Sequence, residues 1–82
     1  MWEELNNKLR KEFKFKNFIE AAAFITKVSI VSEKNNHHPE IYNVYNKVII
    51  DLCTHDLGDK ITQKDYNLAK EIDKIIWMIT KY

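Results

Sequence analysis

The sequence predicts an α+β fold: a four-stranded antiparallel sheet with two helices packed on one face, in the order β-β-α-β-β-α. Two observations predict it. Several short segments alternate apolar and polar residues, and two longer stretches repeat apolar residues at helical spacing. The chain has 82 residues, of which 45% are hydrophobic and 30% charged, so we expect one globular domain over residues 1–82.

The chain begins with a predicted β-hairpin. Apolar and charged residues alternate over Lys8–Phe15, which indicates a half-buried strand. The preceding Asn6-Asn7 pair is typical of a turn, because asparagine tolerates the left-handed backbone conformation. We therefore expect Trp2–Leu5 to pair back as a short edge strand.

The first predicted helix runs from Asn17 to about Asn36. Asn17 is a good N-cap, and Glu20 follows three residues later as in a capping box. Most of the apolar residues form one wide face, which we expect to cover the sheet. A second apolar stripe consists of Ile19, Ala23 and Ile30. Because so small a chain has little left to cover this stripe, we expect self-association through the helix.

The second half repeats the pattern of two strands and one helix. Pro39 ends the helical pattern, since proline disfavours helical backbone in the residue before it. Alternation then predicts strands over Ile41–Tyr45 and Lys47–Thr54. After a loop, Thr62 and Asp65 have the spacing of another capping box and open the final helix.

Composition excludes several classes of protein. Thirteen basic residues face 12 acidic ones, for a formal net charge of +1, so no basic surface for direct nucleic-acid binding is predicted. No apolar run approaches the roughly 20 residues of a membrane span, and no signal peptide opens the chain. The single Cys53 excludes an internal disulfide and fits a reducing compartment. We expect a cytoplasmic or nuclear protein.

Three histidines are the best candidates for chemistry. Imidazoles ordinarily titrate at about pH 6.5, which suits proton transfer near neutral pH. His37 and His38 are adjacent, and in extended chain they point to different sides, so they could grip a flat ligand. Two alternatives stay open. Cys53 and His55 share a strand face and could form an incomplete zinc site with His37, or the histidines could merely cap strand and helix ends.

A set of residues spread over the chain resembles the pterin-4a-carbinolamine dehydratase family. The pattern is an acidic residue and Lys, then His-His-Pro, an aromatic residue, a third His and a downstream Asp. The matching residues are Glu33, Lys34, His37, His38, Pro39, Tyr45, His55 and Asp65. The resemblance covers essentially the whole chain. Relatives usually have another helix before the residue matched by Trp2, and some have Asp where this chain has Asn36.

The resemblance implies an enzyme that converts 4a-hydroxytetrahydropterin to quinonoid dihydropterin and water, as part of tetrahydrobiopterin recycling. It implies general acid–base catalysis by His37, His38 and His55, with no cofactor and no bound metal. Glu33 and Asp65 are expected to orient the histidines, although Asp65 could equally be only a helix cap. The residues expected to bind the pterin are Asn36, His37, His38, Pro39, Cys53, Thr54, His55 and Asp56.

The resemblance also implies partners. Relatives form dimers through a sheet edge, and these dimers pair into tetramers through the helix matched by Asn17–Asn36. We therefore expect a homodimer or homotetramer. Animal relatives use the same helix as dimerisation cofactors of a homeodomain transcription factor, so a coactivator-type binding module is the alternative to an enzyme.

Overall fold

The structure, a computed structural model, describes residues 1–55 and 58–80, the last of these through its backbone only. The predicted α+β class and the order β-β-α-β-β-α are confirmed. The elements are β1 (Glu3–Leu5), β2 (Lys8–Lys14), α1 (Phe18–Lys34), β3 (Glu40–Val44), β4 (Lys47–Leu52) and α2 (Gln63–Thr80). None of the described helices is both long enough and apolar enough to span a membrane.

The four strands form one antiparallel sheet in the order β1-β2-β4-β3, so that β1 and β3 are its edges. Phe13 of β2 and Asn43 of β3 both lie opposite Val48 of β4. The predicted hairpin turn is present: Asn6 and Asn7 have φ angles of +52° and +63°, as a two-residue type I′ turn requires.

The core lies between one face of the sheet and the two helices. Phe24 of α1 is fully buried, and its ring centroid lies 4.8 Å from that of Phe13 and 5.0 Å from that of Phe15. The buried hydrophobic cluster consists of Leu9, Phe13, Phe15, Ala21, Phe24, Val28, Val48, Ile50, Leu52, Leu68, Ala69 and Ile72. The alternation in β2 and β4 and the helical spacing in α1 and α2 supply this cluster, as the sequence predicts.

Two strand ends differ from the prediction. The last strand ends at Leu52, not at Thr54, because the chain leaves the sheet there, and Thr54 instead forms an isolated bridge with Lys60. The second strand ends one residue before Phe15, although the N–H of Phe15 still donates to the carbonyl of Asn46 at 2.8 Å. The other predicted boundaries lie within two residues of the observed ones.

The predicted cap and the predicted second stripe of α1 are both present. The Asn17 side chain accepts a hydrogen bond from the Glu20 N–H at 2.9 Å, which identifies Asn17 as the N-cap. Ile19 and Ile30 are 77% and 65% exposed, so in a single chain the second stripe is uncovered.

Candidate active site

The end of α1 fixes the backbone that carries the first histidine pair. Asn36 adopts a left-handed conformation, with φ +51°. The Asn36 N–H donates to the carbonyl of Glu33, and the His37 N–H donates to the carbonyl of Ser32, both at 3.1 Å. These two bonds form a Schellman motif, in which asparagine can replace the usual glycine. His37 is therefore held immediately beyond the helix end.

Asp65, in the first turn of α2, is the most heavily bonded side chain near His37. The carboxylate is fully buried. It accepts hydrogen bonds from the Thr54 hydroxyl at 2.9 Å and from the Thr62 N–H at 2.8 Å. Its other oxygen lies 2.5 Å from His37 Nε2. Asp65 thus forms the side-chain half of the predicted capping box, through the Thr62 N–H, and contacts a histidine at the same time.

The other two histidines also contact carboxylates. His38 Nε2 lies 2.8 Å from a Glu33 oxygen, and His55 Nδ1 lies 2.8 Å from an Asp59 oxygen. Both pairs are exposed, whereas the side chain of His37 is only 12% exposed. A carboxylate bonded to one imidazole nitrogen fixes the tautomer and the ring orientation, and leaves the second nitrogen for a ligand.

The three histidines meet at one cavity of about 130 Å³, although they come from two separate segments. Its lining consists of Asn36, His37, His38, Thr54, His55 and Lys64. The sequence reasoning missed Lys64 and Asp59 as site residues. One feature of the sequence could have indicated Lys64, because this residue directly precedes Asp65 in the first turn of a helix.

Two further predicted site residues, Pro39 and Cys53, each adjoin in sequence a residue that lines this cavity, but they are not part of the lining. Pro39 is half-buried beside the histidine pair, and Cys53 is buried with its sulfur 3.8 Å from His55 Nδ1. Burial raises the pKa of the Cys53 thiol, and the negative charge of Asp59 raises it further, so the thiol is a poor nucleophile. Asp56 lies outside the described residues.

A larger cavity of about 420 Å³ lies on the outer face of the sheet, but its lining includes no histidine. Its principal charges are already paired. Arg10 Nε and Nη2 donate to the two oxygens of Asp51 at 2.7 and 2.8 Å. This bidentate pair uses two donors of Arg10 and both oxygens of Asp51. The histidine cavity is therefore the better candidate for chemistry.

Comparisons with known proteins agree with the predicted resemblance. The family model described as "Pterin 4 alpha carbinolamine dehydratase" matches residues 1–75. Proteins from two strains of Prochlorococcus marinus, both named "Putative pterin-4-alpha-carbinolamine dehydratase", are 60% and 58% identical over 74 residues. The match covers 90% of this chain and 76% of each relative.

Solved structures show the same fold. A Brucella melitensis protein, described as a "transcriptional coactivator/pterin dehydratase", superposes with a TM-score of 0.85 at 33% identity, over 90% of this chain and 80% of that one. A "pterin dehydratase-like protein", described as a RuBisCO assembly factor in the alpha-carboxysome, has a TM-score of 0.73 at 24% identity and covers 92% of this chain and 86% of its own; this likeness concerns the fold alone. The chain belongs to the pterin-4a-carbinolamine dehydratase family.

Proposed function

We propose that the chain is a dehydratase that converts 4a-hydroxytetrahydropterin to quinonoid dihydropterin and water. The observation that carries the proposal is the convergence of three histidines on one cavity, each with one ring nitrogen on a carboxylate. Family membership supports it, because the matching family model is that of a carbinolamine dehydratase.

The proposed reaction is an elimination that suits imidazole groups. The hydroxyl on C4a leaves as water and needs a proton. The hydrogen on N5 is removed as the C4a–N5 double bond forms. One general acid and one general base therefore serve the whole step, and each positioned group typically contributes about 10²–10⁴-fold to a rate.

We assign proton donation to His37 and His55, acting from the two faces of the pterin. His37 Nε2 is engaged by Asp65, so its Nδ1 is the nitrogen that can reach a substrate. His55 Nδ1 is engaged by Asp59, so its Nε2 has this role. His38, which is exposed and bonded to Glu33, holds the ring and accepts the N5 proton.

The polar edge of the pterin needs hydrogen-bonding partners, and the cavity wall offers several. We propose Asn36 and the Lys64 ammonium, which line the cavity, as substrate neighbours. We propose Pro39, Cys53 and Asp56 as further neighbours, as the family resemblance implies. Thr54 has a different role. Its N–H donates to the carbonyl of Lys60 at 2.8 Å and its hydroxyl to Asp65 at 2.9 Å, so we propose that it acts mainly by holding Asp65.

The product gives the reaction a place in metabolism. Quinonoid dihydropterin can be reduced to the tetrahydropterin that aromatic amino-acid hydroxylases use. We propose that the chain supports this recycling in the cytoplasm.

Synthetic 4a-hydroxytetrahydropterin provides the direct test. Its dehydration is followed by ultraviolet absorbance with and without the protein, and we expect the protein to accelerate it. The matched control is the double variant His37→Ala/His38→Ala, which should lose the acceleration. A wild-type rate equal to the spontaneous rate would reject the proposal.

A binding module is the second candidate, and the exposed stripe of α1 favours it. Ile19 is 77% exposed and Ile30 is 65% exposed, which is unusual for two isoleucines on one helix face. A homeodomain transcription factor is the kind of partner that this hypothesis names. The double histidine variant separates the two functions, because partner binding through α1 should persist when dehydration is lost.

A further inference from the structure

We propose that Glu40, Cys53 and His55 form a binding site for one divalent metal ion of the zinc class. One donor atom from each of the three side chains lies within 4.8 Å of the other two. This trio differs from the combination of Cys53, His55 and His37 that the sequence allows, because Glu40, and not His37, supplies the third donor atom within 4.8 Å.

The three donors are those that zinc prefers. Thiolate sulfur, imidazole nitrogen and carboxylate oxygen bind Zn²⁺ at about 2.0–2.3 Å, so donors around a tetrahedral ion lie roughly 3.5 Å apart. Cys53 Sγ is already 3.8 and 3.9 Å from the two nitrogens of His55. The buried Cys53 is fixed beyond the end of β4, whereas Glu40 and His55 are exposed and can move inward.

An independent observation is that one ring nitrogen of His55 already contacts a carboxylate. Its Nδ1 lies 2.8 Å from an Asp59 oxygen. Histidines that bind zinc through one nitrogen commonly donate the other N–H to a carboxylate, which fixes the tautomer and the ring. Asp59 thus leaves Nε2 of His55 as the nitrogen available to the ion.

The charges around the trio also fit a dication. When the metal binds, the Cys53 thiol loses its proton to solvent, and the resulting thiolate and the Glu40 carboxylate together balance a 2+ charge. Lys8 opposes binding, because its ammonium lies 2.8–2.9 Å from both oxygens of Glu40 and must be displaced. Three protein ligands leave a fourth position for water.

The proposed metal site has a regulatory consequence, which rests on the proposed dehydratase function. His55 Nε2 cannot bind a metal and transfer a proton at the same time. Zinc should therefore inhibit dehydration by occupying His55, and removal of zinc with a chelator should restore the rate.

Binding is tested without any substrate, by titrating the reduced protein with Co²⁺ and then displacing it with Zn²⁺. We expect one Co²⁺ per chain and a thiolate-to-cobalt charge-transfer band in the near ultraviolet.

Variants of two of the ligands and of Lys8 test the site residue by residue. Cys53→Ser should abolish the charge-transfer band. Glu40→Gln should weaken Co²⁺ binding by at least about tenfold, because losing a direct ligand should cost no less than the about 10–100-fold typical of losing a group that only orients a ligand. Lys8→Gln should strengthen binding. The matched control is Glu71→Gln, at a partly exposed glutamate of α2, which should leave binding unchanged.

Absence of the charge-transfer band from the wild type would overturn the site. So would a Glu40→Gln variant that binds Co²⁺ as tightly as the Glu71→Gln control, and since Glu40 is exposed this variant should fold. Loss of metal binding on His37→Gln would overturn the trio in favour of the combination of Cys53, His55 and His37.

Cobalt binding by a protein without dehydratase activity would support the site and reject the proposed function. An active enzyme that binds Zn²⁺ with an undiminished rate would overturn the inhibition.

Discussion

His37 Nε2 and Asp65 Oδ1 lie 2.5 Å apart, although the two residues are 28 positions apart in the chain. The contact joins the end of α1 to the beginning of α2. The same carboxylate caps α2 through the Thr62 N–H, so the start of the helix and the orientation of His37 depend on one buried group. A change at Asp65 should therefore affect both stability and activity.

The first prediction concerns Asp65→Asn. An amide oxygen at the Oδ2 position can still accept from the Thr62 N–H and the Thr54 hydroxyl, but the amide NH₂ then faces His37 Nε2 and cannot accept a hydrogen bond from it. We expect kcat/KM to fall by about tenfold or more and the free energy of unfolding to fall by about 1–3 kcal/mol. Steady-state kinetics and urea unfolding measure the two effects.

The pH profile separates positioning from simple destabilisation. If Asp65 positions His37, the shape of the pH dependence of kcat/KM should change in the variant. A smaller fraction of folded protein would instead lower kcat/KM by the same factor at every pH. Asp73→Asn is the control, because Asp73 accepts from Trp2 and Lys11 and contacts no histidine of the site. An unchanged profile in Asp65→Asn would contradict the positioning role.

The second prediction concerns His55→Ala. The side chain of His55 is 60% exposed, so the fold should survive its removal. We expect kcat/KM to fall by about 10²-fold or more, because a proton-transfer group is lost. Circular dichroism should match the wild type. Lys60→Ala, in the same loop, is the control and should retain most of the activity. An active His55→Ala enzyme would exclude His55 from the chemistry.

Local signals in the sequence predict the elements of this fold well. The Asn17 cap and the alternation over Lys8–Phe15 are properties of neighbouring residues, and the structure shows both. The turn at Asn6 and Asn7 is equally local. The chemistry of imidazole already made the three histidines candidates, and the family resemblance added their expected roles, because their spacing along the chain is itself the motif.

Contacts between distant segments could not be predicted in the same way. The capping box predicts that Asp65 bonds Thr62, but its contact with His37 depends on how α2 packs beside α1. Asp59 and Lys64 reach the site through a loop and a helix start that carry no periodic signal. Side-chain direction at such positions follows from packing, not from local spacing.

The third prediction concerns pH and Tyr66. Its hydroxyl donates to the carboxylate of Glu4, which ties α2 to the edge strand β1. This hydrogen bond is the main reason that the pKa of Tyr66 is raised above its ordinary 10.0, because it favours the protonated phenol. If folding raises the pKa of a group, the group stabilises the folded state at pH values below its pKa in the unfolded chain. This stabilisation is lost as the pH rises through its pKa in the folded protein.

Tyr66→Phe should therefore unfold at lower urea concentration than the wild type near neutral pH, and the difference should shrink above the raised pKa. Tyr42→Phe, at an exposed tyrosine of β3, is the control and should match the wild type at neutral pH. A difference between Tyr66→Phe and the wild type that grows with pH would contradict the proposed sign.

The last prediction is that the protein self-associates through α1. Ile19 and Ile30 are 77% and 65% exposed, and Ala23 lies between them on the same face. Contiguous exposed apolar surface on a protein of this size usually marks an interface, and a small residue such as Ala23 lets a neighbouring helix approach closely. We expect the wild type to sediment as a dimer or tetramer at micromolar concentration.

Ile30→Glu tests this interface, because it places a charge where desolvation is costly. We expect smaller species by sedimentation, with the histidine site and the activity per chain retained. Ser29→Glu is the matched control: it adds the same charge at the neighbouring exposed position, about 100° around the helix from Ile30. Ser29→Glu should assemble like the wild type. A monomeric wild type would reject self-association altogether. An Ile30→Glu variant that assembles to the same mass as the wild type would indicate that the interface lies at the sheet edges β1 and β3 and not at α1.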